Sequence, residues 1–299
     1  MSSPRALLHV GFLFALASAA LFAIRPIFVK LCYQEGVAPL ELIMLRMAFS
    51  LPIYAVILVW LLRDKANRQK LNRDTIARCA AIGLLGYYGA SYLDLLGLQY
   101  VSAQLGRMIL YSYPTFVVIL GALLFKQTIS KRTVAALAIT YLGVASIFGH
   151  EWQLNGSQVS IGGLYIVACA ICFGFYLVFG KTLIDQLGSQ LFTCIALIAA
   201  SIAILVHYAL FMDITVPEIS HKALLYIGFI AIFCTVLPSF FTAAAIARIG
   251  PDKTSIVSTI GPAFTSIFAV LILSELFTVI HLLGIILTVA GIMLLKRKE

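Results

Sequence analysis

Charge is scarce in this chain of 299 residues: 11% of positions are Asp, Glu, Lys or Arg, 62% are hydrophobic, and the mean hydropathy is +1.04. That shortage excludes a soluble domain of this size, which could not cover its surface with so few polar groups. Catalytic signatures are missing as well. There is no H-E-x-x-H zinc pair, no G-x-S-x-G nucleophile turn and no glycine-rich phosphate loop. His9, His150, His207, His221 and His281 are scattered, with no acidic partner at ligand spacing. No enzyme, metal site or cofactor is therefore expected, and without a nucleotide-binding motif any energy must come from gradients. Of the six cysteines, Cys79, Cys169, Cys172, Cys194 and Cys234 lie in or beside apolar stretches and Cys32 near the outer face. Cys169-x-x-Cys172 has no second ligand pair and reads as helix packing.

What fills the chain instead is a series of apolar runs of roughly 20 residues, the length that crosses a bilayer. Ten are legible: 10–31, 40–62, 76–98, 103–125, 133–148, 161–182, 190–211, 223–246, 254–273 and 280–295. Only helices satisfy their own backbone in lipid without the alternation of a barrel, and no such alternation is present.

The formal charge of +9 is unevenly spread. Sixteen of the 21 basic residues sit in alternate connections and at the ends: Arg5, then Arg63 to Arg78, Lys126 to Arg132, Lys181, Arg248 with Lys253, and Lys296 to Lys298. The intervening connections hold only Lys30 and Lys222. This is the positive-inside pattern, with both termini cytoplasmic in a multi-pass protein of the cell inner (plasma) membrane. No folded domain exists to present a basic patch, so nucleic acid is not an expected partner. The lipid bilayer and a small-molecule substrate are.

The chain is also written twice. Residues 102–142 align without a gap on 250–290 at an offset of 148, setting Pro114 on Pro262, Gln127 on Glu275, Ser130 on Thr278 and Gly143 on Gly291. Residues 17–30 align on 168–181 at an offset of 151. Five crossings is an odd number, so the second copy must enter the membrane from the opposite side. The expected fold is an all-α membrane protein of ten transmembrane helices in two inverted five-helix repeats, 1–149 and 161–299, joined by a polar external linker at 150–160. Arg5, the apolar run and Ala17-Ser18-Ala19 imitate a secretory signal, but cleavage there would break the match between the copies, so the first helix is expected to stay.

The run from Phe22 to Lys30 (Phe-Ala-Ile-Arg-Pro-Ile-Phe-Val-Lys), Leu45-Arg46-Met47, the Ser-Glu-Leu-Phe-Thr at 274–278, Tyr113-Pro114 and Gly261-Pro262 resemble the EamA-like branch of the drug/metabolite transporter (DMT) superfamily. The chain departs from that pattern at Gln127, usually acidic, and at Phe22, commonly tryptophan. The resemblance covers nearly the whole chain. It implies an exporter or exchanger of small metabolites, with helices one to four and six to nine around a central cavity. Helices five and ten would stand at the periphery. The runs 133–148 and 280–295 are short and carry no ionised residue, which agrees with lipid-facing props. They stand free for lipid or for a second copy in a homodimer.

Ionised side chains inside a membrane are costly, at least about 2.5 kcal/mol each at the centre, and normally face a cavity or a partner. Arg25, Arg46, Asp94 and Arg107 all fall roughly 6 to 10 Å inside the outer boundary, counted at the helical rise. The positions that the repeat sets opposite them are Tyr176, Leu197, Thr242 and Ser255, none of them charged. Three guanidiniums against one carboxylate suit an anionic or zwitterionic solute gripped in a two-pronged fashion. A structural cluster bridged by Asp94 remains the alternative. Asp94 is also open to a proton-carrying role, against which the neighbouring arginines work. Tyr87, Ser91 and Asp94 share one helix face, as do Arg107, Tyr111 and Pro114. In the second copy Tyr165, Cys169, Cys172 and Tyr176 form one stripe, and Ser255, Thr259, Pro262 and Ser266 another. The substrate-binding candidates are thus Arg25, Arg46, Asp94, Arg107, Tyr87, Ser91, Tyr111 and Tyr176. Pro114, Pro238 and Pro262, placed in helix interiors, read either as gating hinges or as static kinks.

The expected activity is alternating-access movement of amino acids or related carboxylates, by export or exchange. The alternatives are an exchanger of bulkier anionic or nucleoside-like metabolites and, in a different class, a lipid-flipping or regulatory membrane protein.

Overall fold

The computed structural model describes residues 4–125, 129–211, 219–258 and 260–295, and every regular element among them is a helix. In chain order these are α1 (Pro4–Gln34), α2 (Pro39–Leu61), the short α3 (Lys65–Gln69) and α4 (Arg73–Gly83), which runs through a π-helical turn at Leu84–Gly89 into α5 (Ala90–Leu98). Next come α6 (Ala103–Leu110), α7 (Tyr113–Phe125), α8 (Lys131–Asn155), α9 (Gln158–Leu187) and α10 (Ser189–Phe211). The chain continues as α11 (His221–Ala231), a second π turn at Ile232–Val236, α12 (Leu237–Ser258), α13 (Gly261–Leu273) and α14 (Val279–Leu295). Eight stretches among the described residues are long and apolar enough to cross a membrane, and Gly261–Leu273 and Val279–Gly291 are shorter apolar helices.

The repeat is visible in the helix boundaries themselves. Shifted by 148, α4 falls on α11, the first π turn on the second, and α7 on α13, residue for residue at each start. The caps follow the same register. Asn72 accepts from Thr75 N at 2.7 Å and its mate Ser220 from Ala223 N at 3.1 Å. Where Ser102 caps α6, its mate Gly250 adopts φ 79° and breaks α12, so Pro251 to Ser258 stand as the counterpart of α6.

Three expectations are corrected. Pro114 and Pro262 are not in helix interiors: each is the second residue of a helical segment, after a break at Tyr111-Ser112 and after the break that precedes Gly261, whereas Pro238 does lie inside a continuous helix, His221–Gly250, just beyond the second π turn. A proline at that position lacks a donor that no helix start needs, so it begins a segment without bending one. Pro26 of α1 and Pro52 of α2 are inside helices too. Secondly, the stretch 150–160 is helical apart from Gly156 and Ser157, because polar Glu151 is spent on a contact with Ser102 and does not form a loop. Gly156 ends α8 with φ 73°, a conformation costly for residues with a Cβ. Thirdly, α8 is 25 residues long, not short.

The helices pair across the copies: α1 packs along α12 and α13, α9 along α5 and α7, α2 along α10, and α8 along α14. Hydroxyls join the first of these interfaces, Ser18 Oγ to Thr242 Oγ1 at 2.6 Å and Thr265 Oγ1 to the Ala23 carbonyl at 2.7 Å. The second of these falls in the turn before Pro26, where a helix lacks a backbone donor. At one end of the bundle Glu35 accepts from Lys222 Nζ at 2.7 Å and Ser220 Oγ at 2.9 Å. Those bonds hold its carboxyl below the usual range.

In the α8/α14 interface each contact occurs twice with the copies exchanged. A Cβ on Gly143 would lie 2.6 Å from the Gly284 carbonyl oxygen and from Thr288 Oγ1. One on Gly291 would lie 2.3 Å from Thr140 Oγ1 and 2.6 Å from the Ala136 carbonyl. The small-residue faces of these two helices are therefore turned to each other, and their large residues such as Leu142 and Leu283 face outward. Replacing Gly143 by Val should cost about 2 kcal/mol through overpacking and lower the melting temperature in detergent. Leu142→Val, at an outward position, should leave it unchanged.

Candidate functional site

Arg25 on α1, Asp94 on α5 and Arg107 on α6 come from separate helices and meet at one point. The π turn before α5 and the short α6 set their height. Asp94 has no exposed surface, and Arg107 and Arg25 are 3% and 8% exposed. Arg107 Nη2 donates to both carboxylate oxygens of Asp94, at 2.6 and 2.8 Å, and Arg25 Nη2 donates to Oδ2. Each guanidinium thus spends a single nitrogen on Asp94. The Nε–H of both arginines has no partner among the described residues.

Both arginines line a cavity. Its wall includes Ser91 and Tyr87, one and two turns before Asp94 on the helix that carries it, and Tyr111, one turn beyond Arg107. Phe22, Tyr113, Phe173, Thr242, Thr254 and Ser258 complete its sides. Aromatic rings run along the wall: Tyr111 and Tyr113 are 6.0 Å apart between centroids and Tyr113 meets Phe173 edge-on at 5.1 Å, while Phe173 is backed by Tyr176, stacked on it at 5.7 Å. Such a wall with two guanidiniums at one end suits a flat or apolar body attached to a negatively charged head. Gly261 makes the close approach at the helix break: a Cβ there would sit 1.9 Å from the Tyr111 hydroxyl.

Not every residue singled out from the sequence reaches this cavity. Arg25, Arg107, Tyr87, Ser91 and Tyr111 line it, and Asp94 lies behind the two arginines. Tyr176 is 1% exposed and stands in a second layer, its hydroxyl 3.2 Å from that of Tyr87. Arg46 is buried to 1% exposure and does not line the cavity, and its Nε and Nη2 have no partner among the described residues. Of the stripe through Ser255, Thr259, Pro262 and Ser266, Pro262 and Ser266 are buried outside the cavity wall, and Thr259 and the side chain of Ser255 lie outside the described residues; Thr254 and Ser258 of that segment line the cavity. Gln127 is outside the described residues too. Phe173, missed in the sequence, gave no signal there beyond being apolar at helical spacing, and Phe22 stood out there only as a departure from the family pattern. No cluster of three or more His, Cys, Asp or Glu able to hold a metal exists among the described residues.

The sequence pattern of the EamA-like transporter family matches the chain twice, over residues 9–149 and 160–297. An uncharacterized transporter of Bacillus subtilis, YcbK, is 26% identical over 279 residues, covering 92% of this chain and 88% of that one. A protein of Chlamydia trachomatis named S-adenosylmethionine/S-adenosylhomocysteine transporter is 26% identical over 284 residues, covering 89% and 83%. A crystal structure superposes over 96% of both chains with a TM-score of 0.67 at 15% identity, a likeness of fold alone. The two matches of the family pattern, which together span nearly all of the sequence, place the chain in the EamA-like transporter family of the DMT superfamily, whose named relatives are transporters.

Proposed function

We propose that this protein is a secondary transporter of carboxylate-bearing small metabolites, amino acids above all, working by alternating access in the inner membrane as an exporter or exchanger. The observation that carries the reading is the pair Arg25 and Arg107 in the wall of an aromatic-lined cavity, each with a buried Nε–H that has no partner among the described residues. Asp94 holds one nitrogen of each guanidinium. A solute carboxylate offers acceptors to the donors that remain. Because ion pairing already satisfies Asp94, the cluster works as a fixed counter-charge that keeps two arginines side by side in a medium that would otherwise reject them.

The membrane arrangement follows from the repeat. The broken helix α6/α7 makes one crossing, Ala103–Leu124. Its counterpart, Pro251 to Ser258 with α13, makes the equivalent one, and α14 matches α8. That gives ten crossings in two inverted copies, 1–149 and 161–299, with both termini cytoplasmic by the distribution of basic residues. The breaks before Pro114 and Pro262 and the π turn before Pro238 are the points where the copies bend past each other. The outward faces of α8 and α14 are covered by lipid, and their inward faces are already occupied by each other.

The aromatic wall also favours a second reading, a bulkier anionic or nucleoside-like cargo. The relative named as an S-adenosylmethionine/S-adenosylhomocysteine transporter agrees with it, since those solutes join an amino-acid head to an adenine nucleoside. One experiment separates the readings. Counterflow in proteoliposomes, with labelled zwitterionic amino acids, dicarboxylates and nucleoside-like metabolites, should detect a carboxylate-bearing solute. Arg107→Ala should lower its uptake by about one to two orders of magnitude, the worth of a charged hydrogen bond pair. Arg107→Lys should recover only part of it, since a point charge lacks the guanidinium fork. Uptake that survives Arg107→Ala and Asp94→Asn alike would make the cluster structural. Tyr111→Ala should weaken half-saturation for aromatic or nucleoside-bearing solutes by about tenfold and leave small aliphatic ones nearly unchanged. Equal losses for both would remove the aromatic wall from the site.

A further inference from the structure

The cavity lies wholly on one side of the Arg25–Asp94–Arg107 cluster. Tyr87 and Ser91 precede Asp94 in the chain, and Tyr111 follows Arg107, all toward the end of the bundle that carries Lys65 and Lys131. On the other side, toward Lys30, the first turn of α6 is held by two carboxylates. Glu275, in the connection between α13 and α14, accepts from Ala103 N at 2.8 Å and from Gln104 N at 3.3 Å. Gln104 Nε2 donates to the Leu276 carbonyl at 3.1 Å. Glu151, near the end of α8, accepts from Ser102 N at 3.1 Å and from the Ser102 hydroxyl. That hydroxyl in turn accepts from Leu105 N at 2.9 Å. All the amides of this helix start are thereby satisfied, by charge-assisted bonds at the positive end of its dipole. Glu275 belongs to the second copy and α6 to the first, so the bonds tie the copies together one turn above Arg107.

The repeat makes this clasp one-sided. Shifted by 148, Glu275 becomes Gln127, Ser102 becomes Gly250, Ala103 becomes Pro251 and Gln104 becomes Asp252. In sequence, the second helix start therefore has a neutral amide at the position of the carboxylate, no capping hydroxyl, and at one of the two donor positions a proline with no N–H; Gln127 itself lies outside the described residues. Two inverted copies with equal clasps would favour neither face. The sequence of this chain provides the residues for one of them.

We infer that Glu275, assisted by Glu151, is a latch that holds the outer face shut, and that its missing counterpart makes the state with the cavity facing the cytoplasm the resting one. This rests on the alternating-access reading above. It assigns to Glu275 a positioning role for α6, and through α6 for Arg107, with no contact to solute.

Cys169 is a native thiol in the cavity wall and reports which face is open. In membrane vesicles of fixed orientation, a membrane-impermeant maleimide is added to either face and modification of Cys169 is followed by peptide mass mapping. The wild-type chain should react from the cytoplasmic face and hardly at all from outside. Glu275→Ala should raise the outside rate by about tenfold or more, the loss expected of charged hydrogen bonds present in only one of two states. The double variant Gln127→Glu, Pro251→Ala restores an acceptor and a donor at the opposite end and should lower the cytoplasmic-side rate severalfold. An unchanged outside rate in a folded Glu275→Ala chain would reduce the latch to a brace. Should that variant fail to fold, a double variant with an unchanged cytoplasmic-side rate would overturn the inference equally. Counterflow by the wild-type chain tests transport separately. A protein that transports yet shows none of these shifts loses the latch and keeps its function, whereas one that shows them without moving any solute loses the transport reading.

Discussion

The structure depends on keeping a carboxylate and two guanidiniums together in the hydrocarbon layer. Asp94 has no exposed surface, and without Arg25 and Arg107 it would be an uncompensated charge in a medium that punishes one severely. The converse also holds, since two arginines side by side repel unless a negative charge sits between them. Three separate helices must therefore arrive at one height, and the irregular features of the bundle serve that end. The π turn before α5, the stop of α6 after eight residues and the proline inside α1 beside Arg25 all fall within a few turns of the cluster. A pair of ions that must be paired is a strong constraint on register, and this one leaves a net positive charge for an anionic head to answer.

The remainder of the molecule is organised by repetition. A single set of local rules, a polar cap, a π turn and a proline-started segment, is applied twice at an interval of 148 residues. The copies then meet through the faces on which they carry their small residues. The α8/α14 contact, where Gly143 and Gly291 exchange the same partners, shows how two similar sequences build one interface. Chemistry breaks the symmetry. All the buried charge of the cluster lies in the first copy, and the carboxylate that clasps α6 lies in the second.

The helical build was legible in the sequence because hydrophobic length is a direct consequence of life in a bilayer, and the repetition because the two copies align without a gap. The meeting of Arg25, Asp94 and Arg107 was readable for the same reason, since helical rise fixes the depth of a residue once the span is known. Arg46 shows where that reasoning stops: depth is fixed by the count of residues, but the direction around the helix axis depends on packing, and Arg46 is buried outside the cavity wall. Tyr176 falls behind Tyr87 on the same account. Thr254 and Ser258 line the cavity beyond a break at Gly250 that no periodicity reveals. The prolines misled for a related reason, as Pro114 and Pro262 mark helix starts only if a break precedes them. Glu275 was visible as the retained acid of a repeated pair, yet its partners, Ala103 and Gln104, are distant in sequence and offer only backbone amides.

The central claim is that Arg25 and Arg107, held side by side by Asp94, receive the carboxylate of the cargo. A cryo-electron microscopy structure at saturating concentration of a solute active in counterflow tests it most directly. The account predicts the solute carboxylate within hydrogen-bonding distance of the Nε edges of both arginines, with its body along Tyr111 and Phe173 and the bonds to Asp94 retained or exchanged. A solute seated elsewhere, with the Asp94 cluster unaltered and out of reach, would contradict it.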